Sequence, residues 1–290
     1  MPRTLTKPVV ISGIGLFSGA DTEATFAPGA PGSGYTARVN NHAFPLTISH
    51  LCKAPAHPAF AGIPPRSTNL AHDPNADRPE FITAEHALSA LAGLGLADIE
   101  VALTGSETPI GDGSAIHFVE ALKDAPSAEC AGPEPFVVTE PFRVTDNQGN
   151  TLLCEPADKP EYVYTLDYGD AHPLLRKQTA RWTPGDRDHY LTDVAPARTF
   201  SLQNEVEQMR SLGLFARFTP ADLLVLGPDG PIDNALRFQD EPARHKLLDL
   251  IGDLALLFGR PIVGRISAER TGHAHTHDLV RALAQQARHI

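Results

Sequence analysis

Residues 242–258 read PARHKLLDLIGDLALLF and predict one long helix. At about 100° per residue, the main apolar stripe of this helix consists of Leu247, Leu248, Ile251, Leu254, Ala255 and Phe258. Leu250, Leu256 and Leu257 flank the opposite side, so the helix is apolar nearly all round. Helices of this kind are buried on most of their sides. The stretch therefore predicts a helix in the interior of the fold.

One side of this helix carries a row of polar residues, His245, Asp249 and Asp253, at positions i, i+4 and i+8. They fall within about 80° of the helix circumference. A buried row of charges needs a partner, and a metal ion is a natural one. A histidine and an aspartate at i, i+4 can hold a point about 2 Å from each ligand atom, which suits zinc with its three protein ligands in catalytic sites. The spacing alone leaves open a structural ion pair without a metal.

A second segment, Thr83-Ala84-Glu85-His86, opens a helix that we predict at about 83–93, with Thr83 as its N-cap. Adjacent helical residues are about 100° apart, so Glu85 and His86 can flank one point without both binding it. His86 is then a candidate third ligand, and Glu85 a candidate general base. The alternative is an exposed glutamate beside a packed histidine.

The two halves of the chain show the same order of predicted elements: strands, a long helix, a strand and a second helix. The predicted strands lie at about 9–11, 22–26, 35–39, 99–103, 136–139, 161–167 and 262–266. The predicted helices lie at about 83–93, from the turn at 111–114 to about 121, at 242–258 and at 276–287. The pattern His-x-Leu-x-x-Leu-x-Gly occurs at both 86–93 and 245–252. Such a repeat fits a duplicated domain. Residues 124–134 have linker composition, and we predict domain I at 1–126, a linker at 127–135 and domain II at 136–290.

Composition excludes several classes of protein. The net charge of −11 disfavours non-specific binding to nucleic acid or anionic membranes, which needs a basic surface. No apolar run approaches the ~18 residues of a membrane span, and the N-terminal apolar run is too short for a signal peptide. The odd number of cysteines, 3, in no zinc-binding spacing predicts reduced thiols and a cytoplasmic protein. The histidine-rich run 272–277 could place three histidines on one face of a strand as a metal site, but taken by itself it favours a solvated loop.

Taken together and in order, the motifs resemble those of the UDP-3-O-acyl-N-acetylglucosamine deacetylases, the zinc amidases of bacterial lipid A synthesis. The matching stretches are Arg3-Thr4-Leu5, Gly13 to Gly19 (GIGLFSG), Thr83 to Leu91 (TAEHALSAL), Asp112-Gly113-Ser114, Ala197-Arg198-Thr199-Phe200, Arg237-Phe238, Arg244 to Asp253 (RHKLLDLIGD) and Thr271-Gly272-His273. The resemblance covers nearly the whole chain.

The resemblance implies an α+β fold of two similar domains, each a layered sheet-and-helix unit, with the helices sandwiched between two sheets. It implies a zinc ion at the domain junction, bound by His86, His245 and Asp249, with Glu85 as general base. It also implies that His273 is the imidazolium that stabilises the oxyanion and protonates the amine leaving group, and that Asp253 orients His273. It further implies that the hydroxyl of Thr199 donates to the oxyanion, that Phe200 lies along the sugar and that Lys246 faces the phosphates.

The expected reaction is hydrolysis of the N-acetyl amide of UDP-3-O-acyl-N-acetylglucosamine, with release of acetate. We expect a monomer without an integral membrane segment or a nucleic-acid partner. The segment Ala216 to Pro220 departs from the Gly-Gly-Ser usual in the family where the acyl passage is shaped. That departure leaves open a related zinc amidase that acts on a different N-acyl sugar. A third hypothesis is a non-catalytic member of the family.

Overall fold

The structure, a computed structural model, describes residues 1–287, so the last three residues of predicted domain II lie outside the described residues. The helices are Ala84–Leu94 (α1), Ile116–Leu122 (α2), Arg187–His189 (α3), Gln203–Ser211 (α4), Glu241–Leu254 (α5) and His273–Ala287 (α6). The strands are Arg3–Leu5 (β1), Val9–Ile14 (β2), Asp21–Pro28 (β3), Tyr35–Val39 (β4), His42–Pro45 (β5), Ile99–Leu103 (β6), Ser127–Glu129 (β7), Phe136–Val137 (β8), Phe142–Thr145 (β9), Thr151–Glu155 (β10), Glu161–Leu166 (β11), Gln178–Trp182 (β12), Phe200–Leu202 (β13), Leu224–Gly227 (β14), Gly230–Pro231 (β15), Ile262–Val263 (β16) and Arg265–Glu269 (β17).

Two five-stranded sheets share one topology. The first has the order β2-β3-β6-β4-β5, and the second has the order β9-β10-β17-β11-β12. In both sheets the successive pairings are antiparallel, antiparallel, parallel and antiparallel. A long helix precedes the central strand of each sheet, α1 before β6 and α5 before β17, and a second helix follows it. The two copies of the His-x-Leu-x-x-Leu-x-Gly pattern therefore lie on equivalent helices of two similar units.

The helices lie between the sheets. Every residue of α1 except Ala92 is buried, and so is every residue of α5 except Arg244 and Lys246. Helices buried all round need cover on opposite sides. One continuous cluster of buried apolar side chains joins both five-stranded sheets to α1, α2, α5 and α6. The predicted α+β fold of two similar sheet-and-helix units is thereby confirmed.

The α1–α5 crossing is close because Gly252 lacks a side chain. A Cβ atom at Gly252 would lie 2.0 Å from the carbonyl oxygen of Glu85. This contact sets the start of α1, with Glu85 and His86, directly against the polar row of α5. Packing thus brings the two predicted halves of the site together.

Several predicted element bounds are wrong. The strand at 262–266 is two strands, because the chain leaves β8 and joins the second large sheet at Gly264, where a Cβ would lie 2.7 Å from a methyl group of Val138. Helix α5 ends at Leu254 rather than at 258. Helix α6 begins at His273 rather than at 276, so the histidine run is helical from His273 onward and is not a loop.

Thr83 is the N-cap residue of α1, as predicted, but it has a positive φ of 58° and its side chain makes no capping hydrogen bond. The domain limits stay a prediction; within the predicted linker, β7 pairs with β1. Among the described helices, none is both long enough and apolar enough to cross a membrane.

Candidate metal centre and active site

Three buried side chains from the two long helices converge at the α1–α5 crossing. Nε2 of His245 lies 3.2 Å from Oδ1 of Asp249, and Nε2 of His86 lies 3.6 Å from the same oxygen. The two imidazole rings are perpendicular, with centroids 5.1 Å apart. Their potential ligand atoms all lie within 4.8 Å of one another. The predicted ligands His86, His245 and Asp249 are thus brought together.

This group fits a metal ion. Asp249 Oδ1 is buried and has no hydrogen-bond partner among the described residues, although two histidines face it. An unpartnered buried carboxylate oxygen is costly, and a cation between it and the imidazoles would satisfy it. Nδ1 of His245 lies 3.1 Å from the carbonyl oxygen of Ala197. Such a contact orients the ring and presents Nε2 to a metal.

Asp249 is the electrostatic centre of the group. Burial opposes its ionised form, but His245 and Lys246 hold the pKa of Asp249 well below its usual range. Nζ of Lys246 donates to Asp249 Oδ2 at 2.9 Å, so each carboxylate oxygen has a different role. Although burial opposes the charge of Lys246 as well, Asp249 and two nearby tyrosines raise the pKa of the lysine. Lys246 is therefore a cation at the edge of the site.

Glu85 lies beside the three candidate ligands and is also buried. Its Oε2 accepts the backbone N–H of Thr68 at 2.9 Å, which fixes the side chain. Burial raises the pKa of Glu85, and the neighbouring His273 and His86 offset only part of that rise. A carboxylate with a raised pKa, held in one orientation, is suited to accept a proton.

His273 and Asp253 form a buried pair on the other side of Asp249. Nδ1 of His273 lies 2.8 Å from Asp253 Oδ2, and its Nε2 lies 4.0 Å from Asp249 Oδ2. Burial opposes protonation of the ring, yet Asp253, with further help from Asp249 and Glu85, raises the pKa of His273 to about 9. Burial likewise opposes ionisation of Asp253, but His273 and His277 lower its pKa to about 2. The pair therefore favours an imidazolium held by a carboxylate.

Thr68 and His277 complete the surroundings of Asp253, and sequence reasoning missed both. The hydroxyl of Thr68 donates to Asp253 Oδ1 and lies 2.9 Å from Nε2 of His277. His277 is one helical turn beyond His273, so the spacing in the histidine run was a usable signal once the run was known to be helical. Nothing in the sequence around Thr68 indicated its position, because the contact with Asp253 is long-range.

Thr199 and Phe200 follow Ala197, whose carbonyl contacts His245, but among the described residues neither makes a hydrogen bond to the ligand group. The backbone N–H of Thr199 donates to the carbonyl of Gly113 at 2.7 Å, which joins the second unit to the first. Both side chains line a cavity of about 60 Å³, together with Leu16, Val206, Phe215 and Phe218 among others. Within segment 216–220, Phe218 therefore faces this cavity, whereas Arg217 pairs with Asp21 at 2.7 Å.

A buried ion pair, Arg198 with Glu241, anchors the segment that carries Ala197 and Thr199. Nε of Arg198 donates to Glu241 Oε1 at 2.8 Å, and neither residue is more than 4% exposed. The Arg198 backbone N–H also donates to Glu241, at 3.1 Å. Arg198 is part of a motif that pointed to the family, but its partner at the first residue of α5 was not predicted.

Glu107 is a second anchor that the sequence did not reveal. It is buried and accepts the backbone N–H groups of Phe17 and Ser18 at 2.9 and 2.8 Å, and the hydroxyl of Thr83 at 3.3 Å. A Cβ at Gly15 would lie 2.4 Å from its carboxylate. Glu107 therefore connects the Gly13 to Gly19 loop, through hydrogen bonds, to Thr83, which has a positive φ directly before α1.

Comparison with known proteins agrees with these observations. The sequence model of a family described as UDP-3-O-acyl N-acetylglycosamine deacetylase matches residues 2–285. A protein of Myxococcus xanthus named UDP-3-O-acyl-N-acetylglucosamine deacetylase is 36% identical over 287 residues, which cover 96% of this chain and 85% of the relative. Proteins with the same name are 34% identical in Thermosynechococcus vestitus (98% of this chain, 94% of the relative) and 32% identical in a Synechocystis species (99% and 98%).

Proposed function

Because the chain belongs to the UDP-3-O-acyl N-acetylglycosamine deacetylase family, we propose that it hydrolyses the N-acetyl amide of UDP-3-O-acyl-N-acetylglucosamine and releases acetate, a step of lipid A synthesis. It is an enzyme, a hydrolase that acts on an amide. The observation that carries the proposal is the unpartnered, buried Asp249 Oδ1 facing two histidines within a chain-long family match.

His86, His245 and Asp249 would hold the metal, which we propose is zinc because two imidazoles and one carboxylate form a usual ligand set of catalytic zinc. When bound, zinc polarises a carbonyl and lowers the pKa of water, so that hydrolysis proceeds at neutral pH. The contact between His245 and the Ala197 carbonyl orients one ligand. Lys246 orients the second oxygen of Asp249, which leaves Oδ1 free for the ion.

Glu85 serves as the general base. It takes the proton of the water that attacks the acetyl carbonyl carbon, and its raised pKa suits it to accept that proton near neutral pH. The backbone N–H of Thr68 occupies one carboxylate oxygen and leaves the other for the water. Glu85 is adjacent to a ligand in sequence, so the base is fixed close to the reacting carbon.

His273 supplies the proton that the departing amine needs. With its pKa raised to about 9, it stays protonated at neutral pH, and it can also stabilise negative charge on the carbonyl oxygen. Asp253 holds Nδ1, so that Nε2 faces the site. The hydroxyl of Thr199 is the proposed second donor to the oxyanion. This role requires its side chain to turn toward the ligand group.

Substrate recognition is assigned to Lys246 and Phe200. One donor of the Lys246 ammonium goes to Asp249 and two remain, which suits a phosphate at the edge of the site. Phe200 packs edge-on near Tyr168, with ring centroids 6.4 Å apart, and offers an apolar face for the sugar.

The domain limits, the cellular location and the oligomeric state are proposed together with this function. We propose the domain limits 1–126 and 136–290 with a linker at 127–135, a cytoplasmic location and a monomer. The two large sheets have equivalent topology, which supports a domain boundary after α2, the helix that follows β6, and before β9.

The proposed function is tested by measuring acetate release from UDP-3-O-acyl-N-acetylglucosamine by purified, zinc-loaded protein. We expect turnover with this substrate. A zinc-loaded protein that releases no acetate from it, yet releases acetate from another N-acetyl sugar, would contradict the substrate assignment and support the related amidase. Absence of turnover on every such sugar would support the non-catalytic hypothesis.

A further inference from the structure

A second cavity lies away from the active site, at the C-terminal ends of α1 and α5. Its volume is about 540 Å³, within the roughly 300–1,000 Å³ of small-molecule sites. It is lined from both units of the fold, by the N-terminal residues, by the end of α1 and by the turn that follows α5. None of its lining residues belongs to the proposed deacetylation machinery.

The interior of this cavity is apolar and aromatic. The rings of Tyr35, Tyr162 and Trp182 line it. Each of their three polar atoms donates to a backbone carbonyl of the chain, at 2.8, 3.2 and 2.8 Å, so the rings offer a ligand only apolar surface. Ala92, the residue of α1 that is not fully buried, also faces this space. A polar body placed here would lose hydrogen bonds to water without replacement.

Three arginines line the same cavity: Arg3, Arg187 and Arg260. Each is held by backbone carbonyls, with distances of 2.7 Å for Arg3, 2.6 Å for Arg187 and 2.7 Å for Arg260. Within residues 1–287, none of the three forms an ion pair with a carboxylate, although the chain has an excess of acidic groups. A guanidinium has five donors, and these contacts use one or two in each. The cavity therefore combines an apolar interior with uncompensated positive charge.

We propose that this cavity binds a long-chain carboxylate, with the acyl chain against the aromatic interior and the carboxylate on the arginines. Arginine is suited to bidentate recognition of a carboxylate. A nucleotide fits less well, because its base edges would find no partners inside. Because residues of both units line the cavity, an occupant would contact both at once and stabilise their association.

Trp182 is the only tryptophan of the chain and lines this cavity, so its fluorescence is a direct probe of an occupant. The experiment titrates zinc-loaded protein with dodecanoate below its critical micelle concentration. We expect a saturable change in Trp182 emission. Dodecanol, which lacks the charge, and dodecyltrimethylammonium, which reverses it, should both bind more weakly than dodecanoate. A wild-type protein without a saturable response to dodecanoate, or with an equal response to dodecanol, would overturn the proposal.

Substitutions of lining residues test whether dodecanoate binds in this cavity. Arg187→Gln and Arg260→Gln should each weaken dodecanoate binding about five- to tenfold, since each removes a charged hydrogen-bond donor. Arg143→Gln is the matched control, because Arg143 is an exposed arginine of β9 outside the cavity, and its affinity should equal that of the wild type. Ala92→Leu should abolish the response, because a bulkier side chain from a good helix former takes space that the acyl chain needs.

All four variants should keep wild-type acetate release, which shows that they are folded and separates this proposal from the deacetylase function. Unchanged affinity in both arginine variants would overturn the proposal. So would binding that persists in Ala92→Leu and is displaced by UDP-3-O-acyl-N-acetylglucosamine, because that outcome places the acyl chain in the cavity beside Phe200 instead.

Discussion

Asp253 Oδ2 lies 2.8 Å from Nδ1 of His273, and both side chains are buried. The two residues come from different helices, α5 and α6, whose packing brings them together. The other carboxylate oxygen accepts the hydroxyl of Thr68, so Asp253 is held from both sides. This arrangement fixes the imidazole edge that faces Asp249.

Asp253→Asn should lower the rate of acetate release by about 10²-fold or more, because the amide no longer stabilises the protonated His273. Zinc content should stay at the wild-type level, since Asp253 is not a proposed ligand. Asp278→Asn, which alters an exposed aspartate of α6 paired with Arg281, is the matched control and should keep full activity. An Asp253→Asn enzyme with wild-type kcat would contradict the role assigned to the pair.

Glu85→Gln should leave zinc bound and reduce kcat by about 10²- to 10⁴-fold, the usual contribution of a general base. The amide oxygen can still accept the Thr68 N–H, so the fold is preserved. The measurements are zinc per chain and kcat, with Glu120→Gln, an exposed position of α2, as control. Loss of the metal with retention of the rate would show that Glu85 is a ligand rather than the base.

Removing one member of the Arg198–Glu241 pair should cost about 3–5 kcal/mol in the free energy of unfolding, because the remaining charge is left buried without its partner. Arg198→Met, Glu241→Met and the double variant form a cycle measurable by urea unfolding. The double variant should lose less than the sum of the two single losses. Additive losses would mean that the two residues stabilise the fold independently.

Burial lowers the pKa of His117 to about 4, although its Nε2 lies 3.0 Å from the Pro109 carbonyl. The unfolded chain then binds a proton between pH 6.5 and 4 that the folded chain does not, so His117 lowers the stability as the pH falls through that window. The loss at pH 4 is at most roughly 3 kcal/mol. Unfolding free energies measured from pH 7 to 4 should fall less steeply in His117→Gln than in the wild type. Parallel pH curves would contradict a neutral, half-buried His117.

Much of the fold and part of the site were predictable because they depend on local patterns. The all-round apolar character of 242–258 identified the buried helix, and its i, i+4 spacing brought out His245 and Asp249. The repeated pattern on α1 and α5 indicated the duplication that the sheet topology shows. The role of Glu85 as general base followed from its place beside His86, and the roles of His273 and Thr199 came from resemblance to a family. All three remain proposals.

What the sequence could not show arises from long-range packing. Thr68 approaches Asp253 across 185 residues, and Glu107 reaches the Gly13 to Gly19 loop from a different part of the first unit. The break between β16 and β17 depends on the close approach of Val138 to Gly264. This contact does not alter the alternation of apolar and polar residues along the strand, so the sequence pattern could not indicate it. Thr83 occupies the predicted N-cap position, but its hydroxyl donates to Glu107 and does not cap the helix.

We propose that His86, His245 and Asp249 form one metal site on which deacetylation depends. Its most direct test is the zinc content per chain of the wild type and of His245→Ala, each measured together with acetate release. We expect about one zinc per wild-type chain and loss of both metal and turnover in His245→Ala. We also expect chelation to abolish wild-type turnover and added zinc to restore it. Full turnover by metal-free protein, or unchanged zinc content in His245→Ala, would contradict it.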